Sequence, residues 1–92
     1  MNNEDEDQSK RIFVGGIPPD ATNQQIWDFF GACGEIFEIH RPASLRGGYR
    51  WFCFISFLDE QSVKAACELN GHSFPGAPRP LAIAPATKHI RR

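Results

Sequence analysis

Two rhythms of apolar positions alternate along this chain, one with the period of a strand and one with that of a helix. The stretch RIFVGGI (Arg11 to Ile17) is β-branched and aromatic, and Pro18-Pro19 closes it, which predicts a first strand. Thr22 followed by Gln25 has the spacing of a capping box. Behind it Ile26, Phe29, Phe30 and Cys33 fall at i, i+3, i+4 and i+7, one apolar stripe of a helix. Gly34 is expected to end that helix in the left-handed conformation. EIFEIHR (Glu35 to Arg41) reads as a second strand, PASLRGGY as a turn-forming loop, and RWFCFISF (Arg50 to Phe57) as a third strand. Asp59 can cap a second helix with Val63, Ala66 and Cys67 on its buried side, and Asn70-Gly71 stops it. PLAIAP is a short last strand, Leu81 and Ile83 on one face, Ala82 and Ala84 on the other.

The order is βαββαβ. Right-handed crossovers fold that order into an α+β, ferredoxin-like sandwich: a four-stranded antiparallel sheet with two helices on one face. The helices then cover one sheet face and leave the other to water. Ile12, Val14 and Ile17 claim the core side of the first strand, which turns Phe13 outward. In the third strand Trp51, Cys53, Ile55 and Phe57 form the core face, and Arg50, Phe52, Phe54 and Ser56 the other. Strands one and three are expected to be central neighbours, so three phenyl rings cluster on the open face with Arg50 at their edge. Exposed aromatic clusters mark binding surfaces. Trp27 lies one step off the apolar stripe of the first helix. It is expected either to pack against Trp51 or to offer a contact to a protein partner.

Composition changes this picture little; charge changes it more. With 92 residues, 41% of them hydrophobic, the chain suits one small folded domain. The net charge of −1 alone argues against a polyanionic partner. Glu4, Asp5, Glu6 and Asp7, however, sit in an acidic, polar lead that resembles neither a signal nor a transit peptide. From Lys10 onward there are ten Lys and Arg against seven Asp and Glu, a balance of about +3 that suits nucleic acid. The expected organisation is an acidic disordered tail over 1–9, one domain over 10–86 and a basic tail over 87–92. No apolar run approaches the roughly 20 residues that cross a bilayer, so no membrane partner is expected. Cys33, Cys53 and Cys67 have neither CxxC nor zinc-finger spacing and read as small buried hydrophobes in a reducing compartment. No metal and no cofactor are expected.

On these residues the chain resembles the RNA-recognition motif family, in the form found in heterogeneous nuclear ribonucleoproteins. IFVGGI (Ile12 to Ile17) looks like the shorter family signature, and RWFCFISF like the longer one, K/R-G-F/Y-G/A-F-V-x-F. Arg50, Phe52, Phe54, Ile55 and Phe57 match its first, third, fifth, sixth and eighth positions. The likeness extends over about Lys10 to Ala86. Trp51 stands where the family has Gly, and Cys53 where it has Gly or Ala. Alternation directs both toward the helices, so both are expected to alter core packing rather than the binding face.

The resemblance implies a non-catalytic module that binds single-stranded RNA. Phe13 would stack one base and Phe54 its neighbour, with Phe52 between the two sugars. His40 would share the open face if the family's spacing holds. Arg50 is the first candidate for a phosphate contact, and Lys10, Arg46, Lys88, Arg91 and Arg92 are cations near the expected rims. Ala82 and Ala84 offer no side-chain hydrogen bonds, which leaves base identity to backbone groups near Ala84 to Thr87 or to the second strand. Single-stranded DNA fits the same stacking chemistry. The alternative function is a protein-binding module of the same fold using the helix face around Trp27. An acylphosphatase-like enzyme shares the fold but needs a phosphate-cradling loop with a following Arg. Here that loop is PPDATN, with no Arg and two residues lacking an N–H. The chain is expected to act as a monomer or as one part of a larger chain in RNA processing. Its expected place is inside the cell, in the nucleus first, with the cytoplasm or an RNA-containing organelle as alternatives.

Overall fold

A computed structural model describes residues 10–86. Four strands and two helices follow in the expected order: β1 (Arg11–Gly15), α1 (Asn23–Phe30), β2 (Ile36–His40), β3 (Phe52–Phe57), α2 (Glu60–Cys67) and β4 (Ala82–Pro85). They form one antiparallel sheet in the order β2-β3-β1-β4. β1 and β3 are central, with Phe13 opposite Phe54 and Gly15 opposite Phe52. Ile12, Val14, Ile17, Ile26, Phe30, Cys53, Ile55 and Ala66 are wholly buried between the sheet and the helices. Burying one such aliphatic or aromatic side chain contributes about 1.5–3 kcal/mol, enough in aggregate to hold a domain of this size.

Both helices start where their caps predict. The Thr22 hydroxyl accepts from Gln25 N at 3.0 Å, and the Gln25 side chain accepts from Thr22 N at 2.8 Å, which completes the capping box. Asp59 accepts from Ser62 N at 3.0 Å at the head of α2. These contacts satisfy amide groups that no preceding turn can reach.

Gly34 is a correction. The helix ends at Phe30, with Gly31 as a right-handed cap, and Gly34 is absent from the glycines of positive φ. A close approach demands glycine at 34: an added Cβ would collide with the Ser62 side chain on α2.

β2 departs from simple alternation. Ile36 pairs with Phe57, yet Glu38 pairs with Ser56, so a bulge absorbs Phe37. Ile36 and Ile39 can then both face the core, and His40 emerges on the open face opposite Phe54.

The third strand begins two residues later than its sequence predicts, and Trp51 is a further correction. Arg50 N donates to Pro42 O within the β2–β3 loop, and Trp51 O accepts from Gly16 N and Ile17 N where β1 leaves the sheet. Ladder pairing therefore starts at Phe52. Trp51 is 51% exposed, beside the loop residues Gly16, Pro78 and Arg79 rather than under a helix. Trp27 is 44% exposed, and the aromatic contacts among the described residues join phenyl and imidazole rings only, so the expected meeting of the two indoles does not occur.

Candidate nucleic-acid interface

Phe13, Phe52 and Phe54 stand together on the face that neither helix of the described residues covers. Their ring centroids lie 5.6 Å (Phe13–Phe52), 5.8 Å (Phe13–Phe54) and 5.9 Å (Phe52–Phe54) apart. Such spacings give tilted and edge-on contacts, the arrangement that ring quadrupoles favour. The three rings hold one another in place, yet each stays partly open to water. His40 extends the platform, its ring near-parallel to Phe54 at 6.2 Å. On the other side Ala82 and Ala84 are exposed and small, so nothing on β4 rises over Phe13.

The cation that flanks this platform is Arg11, at one end of the cluster. Alternation places it two residues before Phe13 on the same face. Its Nε donates to Ser56 Oγ at 3.2 Å, and its guanidinium carbon lies 6.0 Å from the Phe54 centroid. Arg50, expected at the aromatic edge on the third strand, lies before β3 on the β2–β3 loop, where its Nε donates to Ala43 O at 3.0 Å. The rest of its guanidinium is exposed. Arg46 is exposed on the same loop, and Lys10 precedes β1 with Phe57 N donating to its carbonyl. Lys88 lies outside the described residues, as do Thr87, Arg91 and Arg92.

Two further features had weak or no signals in the sequence. The first is a cleft of about 200 Å³ at the β1 start, lined by Lys10, Arg11, Phe37, Glu38 and Ser56 among others. The bulge leaves Phe37 66% exposed there. The second is Arg41, which reaches from the end of β2 to the β1–α1 loop. It donates to Ala21 O at 2.5 Å, Asn23 Oδ1 at 3.2 Å and Pro18 O at 3.3 Å, while the Tyr49 ring covers it at 4.1 Å. Arg41 thereby ties the loop bearing Arg46 and Arg50 to the rest of the domain.

The cysteines stand apart from this face. All three are free, and burial pushes the Cys53 thiol up to about 12. Burial also raises Cys33 and Cys67, with Glu68 adding to the rise at Cys33.

An open-faced α+β sheet with aromatic side chains on its uncovered side defines a class of surface-binding modules. Comparison with known proteins gives the family. The model of the RNA recognition motif matches residues 12–78, and the chain belongs to that family. Human heterogeneous nuclear ribonucleoprotein D-like is 44% identical over 64 residues, covering 68% of this chain and 15% of that protein. The chain spans about a fifth or less of the length of the D-like proteins of this identity from several vertebrates. Among solved structures, the Rna15 RNA recognition motif with bound RNA (GU) superposes with a TM-score of 0.74 at 26% identity, covering 86% of this chain and 84% of that one. A Sxl-Lethal protein–RNA complex has a TM-score of 0.78 at 22% identity, covering 87% and 49%, a likeness of fold.

Proposed function

We propose that this chain binds single-stranded RNA on its open sheet face, without catalysis. The observation that carries the reading is the continuous platform of Phe13, Phe52, Phe54 and His40 on the uncovered side of a sheet of this family. A base presents a π-face whatever its identity, and each stacked base contributes about 1–3 kcal/mol. Phe13 and Phe54 each take one base, for about 2–6 kcal/mol together. Micromolar affinity corresponds to about 8 kcal/mol. Arg11, Lys10, Arg46 and Arg50 supply the remainder at phosphates, and Lys88 joins them from the basic tail that follows the module. β4 offers no side-chain hydrogen bonds, so Glu38 and His40 on β2 and backbone groups after Ala84 read base identity. The solved Rna15 relative is a complex with RNA, which supports the ligand class. Relatives named for nuclear ribonucleoproteins support a place in nuclear RNA processing.

The test is fluorescence anisotropy with labelled random RNA of about eight nucleotides, inside the roughly 4–16 nucleotides that one single-strand-binding OB-fold covers. Single-stranded DNA and duplex RNA serve as competitors. The wild-type chain is expected to bind single strands over duplex. A Phe13→Ala, Phe54→Ala double variant that keeps its fold is expected to lose about 2–6 kcal/mol. Undiminished binding by the folded double variant would remove the sheet face from the reading.

A further inference from the structure

The half-exposed Trp51 is not used by the platform just described. Tryptophan is highly buried on average, and an indole half open to water beside a cleft is placed to stack on a ligand. It forms one wall of a cleft of about 400 Å³ whose other walls are Gly16, Pro78 and Arg79. That volume lies within the roughly 300–1,000 Å³ of small-ligand sites.

The cleft is held by backbone. Trp51 O accepts from Gly16 N at 2.8 Å and from Ile17 N at 3.0 Å. Gly16 has φ +97°, a conformation side chains disfavour, so the turn beneath the cleft needs glycine. The cleft begins one residue beyond the last rung of the central strand pair, Gly15 opposite Phe52. It lies at the end of the sheet where the Arg46 and Arg50 loop also lies. Arg79 is its charged wall, and no carboxylate of the described residues lines it.

From this placement we infer that the Trp51–Arg79 cleft is an additional nucleotide subsite for the same RNA strand. The base stacks on the Trp51 indole, and Arg79 meets the adjoining phosphate. Phe52 and Trp51 are consecutive residues whose side chains leave to opposite sides, so a strand leaving Phe52 bends over the end of the sheet to reach the cleft. The inference rests on the RNA-binding reading and lengthens its footprint.

The experiment uses a Trp27→Phe background, which leaves Trp51 as the one indole, and two RNAs of about four and about eight nucleotides. The longer RNA is expected to quench Trp51 emission, and the shorter to leave it nearly unchanged. Trp51→Ala is expected to weaken binding of the longer RNA roughly 5- to 150-fold, the equivalent of one stacked base, and of the shorter less than about twofold. Arg79→Gln is expected to flatten the salt slope by about 0.7 on the longer RNA alone. Thermal melting checks the fold of each variant, and Trp51→Phe, which keeps a ring, is expected to recover part of the affinity. If Trp51→Ala weakens both RNAs equally, or if emission and affinity ignore RNA length while Phe13→Ala, Phe54→Ala still abolishes binding, the subsite is overturned and the sheet reading stands. If the wild-type chain binds neither RNA, both readings fall.

Discussion

Replacing Arg41 with Met should loosen the β2–β3 loop while keeping the apolar stem of the side chain. The cost can be worked from its contacts. Pro18 O also accepts from Ala21 N at 3.0 Å, so it keeps a donor. Ala21 O would lose the Arg41 donor, and a carbonyl left without a partner costs about 1–3 kcal/mol. Loss of the Tyr49 stacking adds about 0.5–2 kcal/mol. Against these, Arg41 Nε is buried without a partner, and its removal returns about 1 kcal/mol of desolvation. The net expectation is a loss of about 0.5–4 kcal/mol, or roughly 2–30 °C in Tm for a domain of this size. Thermal melting by circular dichroism measures it. Arg41→Lys should recover little, because one ammonium cannot reach three acceptors and stack on Tyr49 together. A cycle with Tyr49→Leu isolates the stacking contribution. RNA affinity should fall in both Arg41 variants, since Arg46 and Arg50 ride on the loop that Arg41 anchors. An unchanged Tm for Arg41→Met would refute the clasp.

Arg11→Gln and Arg50→Gln should each flatten the dependence of log K on log salt by about 0.7. Arg11→Gln should also alter which sequences bind best, because Arg11 lies over Phe54. Equal slopes for wild type and Arg11→Gln would remove Arg11 from phosphate binding. The Cys53 thiol should label slowly with Ellman's reagent in the native protein, because burial keeps it protonated up to about pH 12. The folded state holds that proton more tightly than the unfolded state, whose thiol has the ordinary value of 9.0. This contribution to stability is therefore full below about pH 9 and is lost as pH rises toward about 12, which melts between pH 8 and 11 should register. Rapid labelling at neutral pH would contradict the burial.

Period and caps carried most of the architecture. In β1 and β3 every second residue is apolar, so the inward set is legible, and Phe13, Phe52 and Phe54 follow as the outward set. Helix caps are local, which is why the Thr22 capping box and the Asp59 cap are legible without tertiary knowledge. What escaped was set by contacts between distant segments. The β2 bulge leaves no mark on a period-2 pattern, so Phe37 and the cleft beside it were invisible. Arg11 was legible in principle, two residues from Phe13 on the same face, but its partner Ser56 lies 45 residues away. The placement of Trp51 failed because alternation gives a direction only, and at that end of the sheet the direction leads to loops instead of a helix. Gly34 reads as a helix stop because glycine serves both left-handed turns and close approaches, and only the position of Ser62 distinguishes them.

Between Lys10 and Ala86 the chain carries seven Lys and Arg against seven Asp and Glu, so the described module has no net charge. Long-range attraction of a polyanion to such a body is weak, and position must do what net charge cannot. Arg11 flanks the aromatic platform. Arg46, Arg50 and Arg79 gather on the loops at one end of the sheet, where β1 ends and β3 and β4 begin. Asp59 and Glu60 lie at the opposite end, where β3 passes into α2. A bound strand thus meets phenyl rings first and cations at the rim. Stacking is insensitive to salt, whereas phosphate contacts lose affinity linearly in log salt. A neutral module with four aromatic rings on its face is accordingly expected to hold RNA with a shallow salt slope. The steeper component belongs to the few arginines whose place is fixed by Ser56, by the Ala43 carbonyl and by the Arg41 clasp beneath them.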